Sequence, residues 1–140
     1  MRPLDHAIAR RLRTSGVELP VRPFESVVAE GADKDLLCVV HAGELWATVG
    51  VPDGEQIVAE YGPGSWFGSL DGDSPITVTA TRASRITVVE GPALDTLLGS
   101  DRLVAGAIQA GLDLARWNRM RVLSDPASAE PRGSDERRAG

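Results

Sequence analysis

The stretch of this 140-residue chain whose residue types can do chemistry covers residues 62–80 and reads GPGSWFGSLDGDSPITVTA. Glycines in such a loop expose backbone N–H groups and tolerate positive φ, which suits them to cradle a phosphate. They equally suit a tight corner between β-strands that binds nothing. Asp71 and Asp73 add carboxylates, and no arginine occurs between residues 23 and 81. Because a phosphate needs charge-assisted donors, we interpret the stretch as a corner.

Residues that form metal sites or catalytic nucleophiles are scarce in this chain. His6 and His41 are the only histidines, and ligands so far apart in sequence with no third one do not make a metal site. The single cysteine, Cys38, lies in the apolar run LLCVVH, which indicates a small buried residue. The serines and acids show no nucleophile–base pairing. We therefore predict no enzyme activity, no metal and no cofactor.

Composition and charge indicate one soluble globular domain. The chain has 42% hydrophobic residues, 25% charged residues and a net charge of −5. A negative net charge argues against broad nonspecific binding to nucleic acid or to anionic membranes. No segment approaches the roughly 18 consecutive apolar residues of a membrane span, and the N-terminus lacks the apolar core of a signal peptide. The expected location is the cytoplasm, with neither nucleic acid nor membrane as a partner.

The elements that would position the glycine-rich stretch follow from the spacing of apolar residues. A helix is predicted over residues 3–15, where Pro3 suits the first turn and Gly16 follows the last. From about residue 17 to 90 the apolar period is two, which indicates short antiparallel strands with one buried face. Residues 45–49, 57–61 and 76–80 are the clearest examples, and the second of them would bury Ile57, Ala59 and Tyr61. Helical spacing returns over 92–98, stopped by Gly99, and over 101–123 after a cap at Ser100 or Asp101. The sequence predicts a mainly β sandwich or barrel with one N-terminal helix and two C-terminal helices.

The last helix carries apolar stripes on neighbouring faces. The first stripe has the spacing of a coiled-coil seam and contains Leu103, Ala107, Ala110, Leu114 and Trp117. The second contains Val104, Ile108, Leu112 and Ala115. One stripe can pack on the β-core and leave the seam for a second copy or another protein. The alternative is a wide core-facing helix without a partner.

In order and spacing, these features resemble the cyclic-nucleotide-binding domain, the sensor module of catabolite-activator-type regulators. The resemblance covers about residues 17–123 and is carried by Glu30-Gly31, LLCVVHAGEL, YGPGSWFG at 61–68 and TVTATRASRITVV at 77–89. It implies an antiparallel jelly-roll-like β-roll with a phosphate-binding cassette between strands and a C-terminal helix that closes the pocket or dimerises. On this basis we expect a cyclic-nucleotide-binding-like domain over residues 1–124. Residues 125–140 lack apolar residues larger than alanine and are expected to form a disordered tail.

The cassette of the family is altered at the positions that matter for the ligand. Phe67-Gly68 is in place, but Ser69 stands where the family has a glutamate that binds the ribose hydroxyl. Only LDGDSPI separates Ser69 from the strand at Thr77, which leaves too few residues for the cassette helix and supplies no phosphate-binding arginine. Any residual affinity for a nucleotide would involve the backbone of Gly68, Ser69 and Leu70. The side chains of Ser74 and Thr77 would be the other donors.

Four arginines and a tryptophan elsewhere in the chain are candidate replacements for the missing glutamate and arginine. Arg82 and Arg85 flank a tight turn and are expected to face solvent. Arg116 and Arg119 lie on the long helix and are better placed to cap a ligand, although helix-face arginines are usually solvated. Trp117 fits a lid over the pocket less well than a seam or core residue.

Together these features predict a stand-alone regulatory or protein-interaction module that does not bind cyclic AMP or cyclic GMP tightly. DNA-binding relatives carry a helix-turn-helix after the long helix, whereas a 17-residue polar segment follows here, so DNA binding is not expected. The alternative is a sensor that binds a small ligand in a non-standard pocket and signals to a partner protein. The expected partners are a second copy of the chain or another protein, with a weakly bound small molecule in addition.

Overall fold

The computed structural model describes residues 3–31, 34–70 and 76–124. Its elements confirm the predicted fold class, an antiparallel β-roll with one helix before the strands and two after them. In chain order they are α1 (Pro3–Ser15), β1 (Val17–Val21), β2 (Ser26–Val28), β3 (Leu36–Ala42), β4 (Leu45–Val51), β5 (Gly54–Tyr61), β6 (Trp66–Ser69), β7 (Thr77–Ala80), β8 (Ser84–Glu90), α2 (Gly91–Ser100) and α3 (Arg102–Ser124). The predicted tail over residues 125–140 lies outside the described residues.

The strands form two four-stranded sheets with the connectivity of a jelly roll. The first sheet has the order β1-β8-β3-β6 and the second the order β2-β7-β4-β5. Apart from the hairpin of β4 and β5, every pairing joins strands that are not consecutive in sequence, as in a double Greek key. Side chains that alternate along the strands fill the space between the sheets, and Leu45, Ala47 and Val78 are fully buried there. This inter-sheet core matches the predicted alternation in residues 45–49 and 76–80.

A second core lies on the outer face of the first sheet, where all three helices pack. Ile8 and Leu12 of α1, Leu97 of α2 and Ile108 of α3 meet Val39 of β3 in this cluster. Each of these five side chains is at most 2% exposed. The helices are therefore fixed to the sheet that contains β6, the strand before the glycine-rich corner.

The prediction for β5 was wrong at Ile57. The ladder between β4 and β5 pairs Ala47 with Ala59 but Thr48 with Ile57, so Val58 is the extra residue of a bulge. A bulge shifts the alternation of faces by one residue, and Ile57 becomes exposed while Val58 packs against the inter-sheet core. The alternating pattern alone does not reveal such a shift, because the shift depends on how β5 is paired with β4.

The ends of the C-terminal helices were predicted in part. The side chain of Asp101 accepts a hydrogen bond from the backbone N–H of Val104 at 3.1 Å, so Asp101 caps α3. The predicted stop at Gly99 is wrong, since α2 continues through it to Ser100. The helix is therefore two residues longer at this end than predicted, and Leu97 in its last turn is buried against the first sheet.

Candidate functional site

The corner begins at β6, whose residues face alternately into the two cores. Phe67 points between the sheets, where its ring stacks on Tyr61 of β5 with the centroids 4.7 Å apart. Trp66 points to the opposite face and packs against α3. This strand thus joins the inter-sheet core to the C-terminal helix.

Gly68 occupies a position at which the neighbouring strand leaves no room for a side chain. A Cβ atom there would lie 2.3 Å from the carbonyl oxygen of Leu36 and 2.7 Å from Cδ2 of Leu37. The glycine therefore serves the close approach of β6 to β3, with which it pairs. Packing alone accounts for its presence.

Replacing Gly68 by alanine should lower the free energy of unfolding by about 1–3 kcal/mol, because the added methyl group meets backbone that cannot move aside. Gly62→Ala is the matched control, since a Cβ atom at Gly62 would have no neighbour within 4 Å. Urea denaturation of both variants measures the difference. Equal stability of the Gly68→Ala variant and the unmodified protein would contradict the packing role.

Ser69 is the last residue of β6, and Leu70 follows it. Ser69 is only 7% exposed and lies on the same face of β6 as Phe67, toward the inter-sheet core. Leu70 packs against the helical core cluster instead. The structure therefore brings Gly68, Ser69 and Leu70 together as neighbours, while Ser74 lies outside the described residues.

Thr77 begins β7 in the other sheet, on the face that points away from the core. Its neighbours Val78 and Ala80 face inward, so the Thr77 side chain faces outward. There its hydroxyl oxygen accepts a hydrogen bond from the backbone N–H of Glu30 at 3.0 Å. The carboxylate of Glu30 in turn accepts one from the N–H of Gly50 at 3.0 Å. Thr77 is thus engaged in tying the loop after β2 to the second sheet.

Most cationic side chains near the roll are exposed or already paired with carboxylates. Arg85 forms an ion pair with Glu18 across β1 and β8, and Lys34 forms one with Glu90 at 2.6 Å. Arg82 is exposed on the turn between β7 and β8. These positions agree with the expectation that the arginines of this turn face solvent.

Arg119 differs from the arginines of this turn because it is half-buried. Burial lowers the pKa of its guanidinium, while the neighbouring Tyr61 raises that pKa and Arg116 lowers it. Burial raises the pKa of the Tyr61 phenol, and the charge of Arg119 partly offsets the rise in that pKa. A signal for this position is present in the sequence, since Arg119 follows Ala115 by four residues and so continues the core-facing stripe of α3.

The position of α3 is set by a contact between Trp66 and Gly111. A Cβ atom at Gly111 would lie 2.6 Å from the Trp66 indole, so only glycine admits the ring at this depth. The stripe of Val104, Ile108, Leu112 and Ala115 faces the roll, with Val104 and Ile108 buried.

The predicted seam is mostly on the outside of α3. Leu103 is 87% exposed, Trp117 55% and Leu114 43%, and Ala110 is exposed as well. Ala107 is the exception, because it is partly buried against the helical core. Trp117 does not cover the roll but is stacked by Arg121, whose guanidinium carbon lies 5.0 Å from the ring centroid.

Two findings on metals and membranes apply to the described ranges. No group of three or more histidine, cysteine, aspartate or glutamate residues within them is arranged to hold a metal ion. No helix of the described chain is long and apolar enough to cross a membrane.

Cys38 is fully buried, and burial together with the charge of Glu90 raises the pKa of its thiol to about 12.

Two four-stranded antiparallel sheets with a long helix packed against β6 define a jelly-roll-like β-roll domain. The profile of the cyclic nucleotide-binding domain family matches residues 18–101, and the chain belongs to this family. A comparison with curated protein sequences found no match.

Solved structures of regulators share the fold. The N-terminal domain of a transcriptional regulator from Streptomyces coelicolor A3(2) is 26% identical, with 89% of each chain covered and a TM-score of 0.60. FixK2 from Bradyrhizobium japonicum is 21% identical with a TM-score of 0.67, and the match covers 77% of this chain and 56% of FixK2. The catabolite activator protein of Thermus thermophilus is 21% identical with a TM-score of 0.67, covering 88% of this chain and 58% of the activator. The chain thus spans little more than half the length of the last two proteins.

Proposed function

We propose that this protein is a regulatory domain that does not bind cyclic AMP or cyclic GMP tightly and that acts through protein contacts of α3. The observation that carries the first part is the serine at position 69, which is 7% exposed. The resemblance to the family aligns this residue with the ribose-binding glutamate. A serine is too short to replace a carboxylate there and carries no charge. Lys34 and Arg85 do not substitute for the missing arginine, because each is already paired with a carboxylate.

The second part rests on the outer face of α3. Among the residues that the structure describes, five of the nine exposed large hydrophobic side chains lie on this one helix, namely Leu103, Leu114, Trp117, Met120 and Leu123. A concentration of exposed apolar side chains on one element is typical of an interaction surface. The seam spacing of Leu103, Ala107, Ala110, Leu114 and Trp117 favours a second copy of the same helix as the occupant.

A light-scattering mass of the purified protein tests the proposed assembly. The expected mass is twice the 14.8 kDa of one chain, because each apolar seam covers the other. A mass of one chain at high protein concentration, with no other protein bound, would contradict it.

A second candidate function is favoured by Arg119. A half-buried arginine beside Tyr61 indicates a sensor of a small ligand that differs from the cyclic nucleotides. Such a domain would still act through α3, because Arg119 and the seam belong to the same helix.

A further inference from the structure

The turn between β1 and β2 contains the one non-glycine residue of the described chain that has a positive φ. Residues 22–25 form a β-turn in which the backbone N–H of Glu25 donates to the carbonyl oxygen of Arg22 at 3.1 Å. Phe24, the third residue of this turn, has a φ of 67°. With Pro23 before it, this is the position of a type II turn that favours glycine or asparagine. A phenylalanine is strained there.

The Phe24 side chain makes no packing contact in the fold that would offset this strain. Its ring is 80% exposed and belongs to neither core cluster. The turn is held by the backbone, since the N–H of Phe24 donates to the carbonyl oxygen of Ala80 at 2.7 Å. An asparagine would make the same backbone hydrogen bond with less strain. A strained and exposed aromatic residue therefore indicates a contact with another molecule.

Phe24 stands at one end of an apolar surface along β1. Val17 and Leu19 pair with Val88 and Ile86 of β8, so their side chains lie on the side of the first sheet that forms the inter-sheet core. The described residues leave Val17 65% exposed and Leu19 42% exposed. Of the four exposed large hydrophobic side chains that the structure describes outside α3, three are Val17, Leu19 and Phe24, which we call the β1 patch.

An open groove of about 680 Å³ lies beside Phe24. It is lined by Pro20 and Val21 of β1, by residues 22–25 and by Ala83. Because β1 and β6 are opposite edges of the first sheet, the groove lies at the edge away from the α3 contact with β6. Pro20 has no backbone N–H to offer to an incoming strand, and proline on an edge strand opposes strand addition. A partner in this groove is therefore expected to bind through side chains.

The rim of the groove is basic, although the chain as a whole carries a net charge of −5. Arg22 lines the groove, and Arg82 precedes Ala83 in the turn between β7 and β8. Both arginines are exposed, and neither belongs to an ion pair of the described chain. Glu25 also lines the groove, but its carboxylate accepts a hydrogen bond from the backbone N–H of Arg22 at 2.9 Å. Two unpaired guanidinium groups beside an aromatic ring favour a partner that has carboxylates next to a large apolar side chain.

Occupants taken from the chain itself fit this groove less well. Residues 125–140 contain no apolar residue larger than alanine, so they offer no large side chain to Phe24. A second copy that met this surface around a twofold axis would bring two basic rims into one contact, which is unfavourable. A different protein is the occupant that the charges favour.

We propose that the β1 patch and its groove bind an acidic peptide segment of a partner protein. The segment carries a large apolar residue beside aspartate or glutamate. Phe24 contacts the apolar residue, while Arg22 and Arg82 pair with the carboxylates. This surface is separate from the seam of α3, so the domain would hold a second copy through α3 and a partner protein through β1.

Selection from a phage-displayed library of short random peptides tests the proposal. The intact protein is the bait, and the variant Phe24→Asn, which removes the ring but suits the positive φ, is used for counter-selection. Peptides specific for the unmodified protein should be enriched, and they should combine a large apolar residue with aspartate or glutamate. No enrichment, or enrichment of peptides without acidic residues, would overturn the proposal.

Fluorescence titration with a synthetic copy of the most enriched peptide measures what each side chain contributes. Phe24→Asn should weaken binding by about a hundredfold, and Arg22→Ser and Arg82→Ser by about three- to tenfold each. Added salt should weaken binding as well. Ile57→Thr and Arg116→Ser are the matched controls, because they remove an exposed apolar side chain and an exposed arginine from other surfaces. Equal losses of affinity in Phe24→Asn and Ile57→Thr would refute the assignment.

Urea denaturation separates a contact role of Phe24 from a structural one. Asparagine adopts a positive φ with less strain, so Phe24→Asn should keep or raise the denaturation midpoint. A lower midpoint would show that the ring stabilises the fold and would overturn the proposal.

The mass and the binding of two variants separate this inference from the proposed function. Leu114→Glu should bind the peptide as tightly as the unmodified protein does, whether or not the unmodified protein is a dimer. Phe24→Asn should keep the light-scattering mass of the unmodified protein. A lower mass of Phe24→Asn would show that the β1 patch joins two copies, which contradicts the peptide site.

Discussion

Replacing Leu114 by glutamate should turn a dimer into a monomer of 14.8 kDa without loss of the β-rich fold. Leu114 lies at the middle of the seam and is 43% exposed, so the β-roll does not depend on it. In a dimer, the substitution would remove a buried leucine from each copy and place carboxylates in an apolar contact. We expect the dissociation constant to rise by about a hundredfold or more, which corresponds to about 3 kcal/mol.

Sedimentation of the Leu114→Glu variant over a range of concentrations measures this effect. Gln109→Glu is the matched control, because it adds the same charge to an exposed position of α3 outside the seam. The control should remain dimeric and both variants should keep the circular dichroism of the unmodified protein. A dimer that persists in Leu114→Glu would show that another surface holds the copies together.

Restoring the family's determinants at the corner should create affinity for cyclic nucleotides. The variant combines Ser69→Glu, Ser74→Arg, Asp71→Asn and Asp73→Asn, and all but the first position lie outside the described residues. An arginine contact with the phosphate contributes about 1.5–3 kcal/mol, and each carboxylate about 5–6 Å from the phosphate repels it by about 3 kcal/mol at an effective dielectric near 20. The arginine contact and the loss of even one such carboxylate together amount to about 4–6 kcal/mol, which predicts a gain of about a thousandfold or more.

The burial of Ser69 adds a consequence for stability. Ser69→Glu alone should lower the free energy of unfolding by about 1–3 kcal/mol, because it places a carboxylate where the side chain is 7% exposed. Cyclic AMP should recover part of this loss in the fourfold variant, since the ribose hydroxyls then pair with the carboxylate. The variant that keeps Ser74 is the control and should gain less affinity, because it lacks the arginine contact with the phosphate. A folded fourfold variant with unchanged affinity would show that the corner is not an altered cassette.

The fold could be predicted from the sequence because short-range signals and the resemblance agree. Alternation placed Leu45, Ala47 and Val78 in the inter-sheet core, and Asp101 was among the expected caps of α3. What the pattern missed depends on how the elements meet in three dimensions. The bulge at Val58 arises in the pairing of β5 with β4, and α2 extends through Gly99 to Ser100.

The candidate site was predicted less completely, for the same physical reason. Gly68 and Ser69 were identified by their position, but the sequence did not reveal that Gly68 is required by the carbonyl group of Leu36. The sequence does not distinguish Arg119 from Arg116, since both are charges on the same helix. Only the packing of α3 leaves Arg119 half-buried and Arg116 exposed. In the sequence, only the spacing of four residues from Ala115 indicates that Arg119 belongs to the core-facing stripe. The contact between Trp66 and Gly111 determines that this face of α3 packs on the roll.

Calorimetric titration of the unmodified protein with cyclic AMP and cyclic GMP tests the central claim most directly. The dissociation constants of both nucleotides should be about millimolar or weaker. Ser69 cannot replace the family's glutamate, and no arginine occurs in the segment between β6 and β7. The nucleotide concentrations should extend well into the millimolar range, with circular dichroism confirming the folded state of the sample. Micromolar binding of either nucleotide, at about −8 kcal/mol, would contradict the proposal that this domain does not bind cyclic nucleotides tightly.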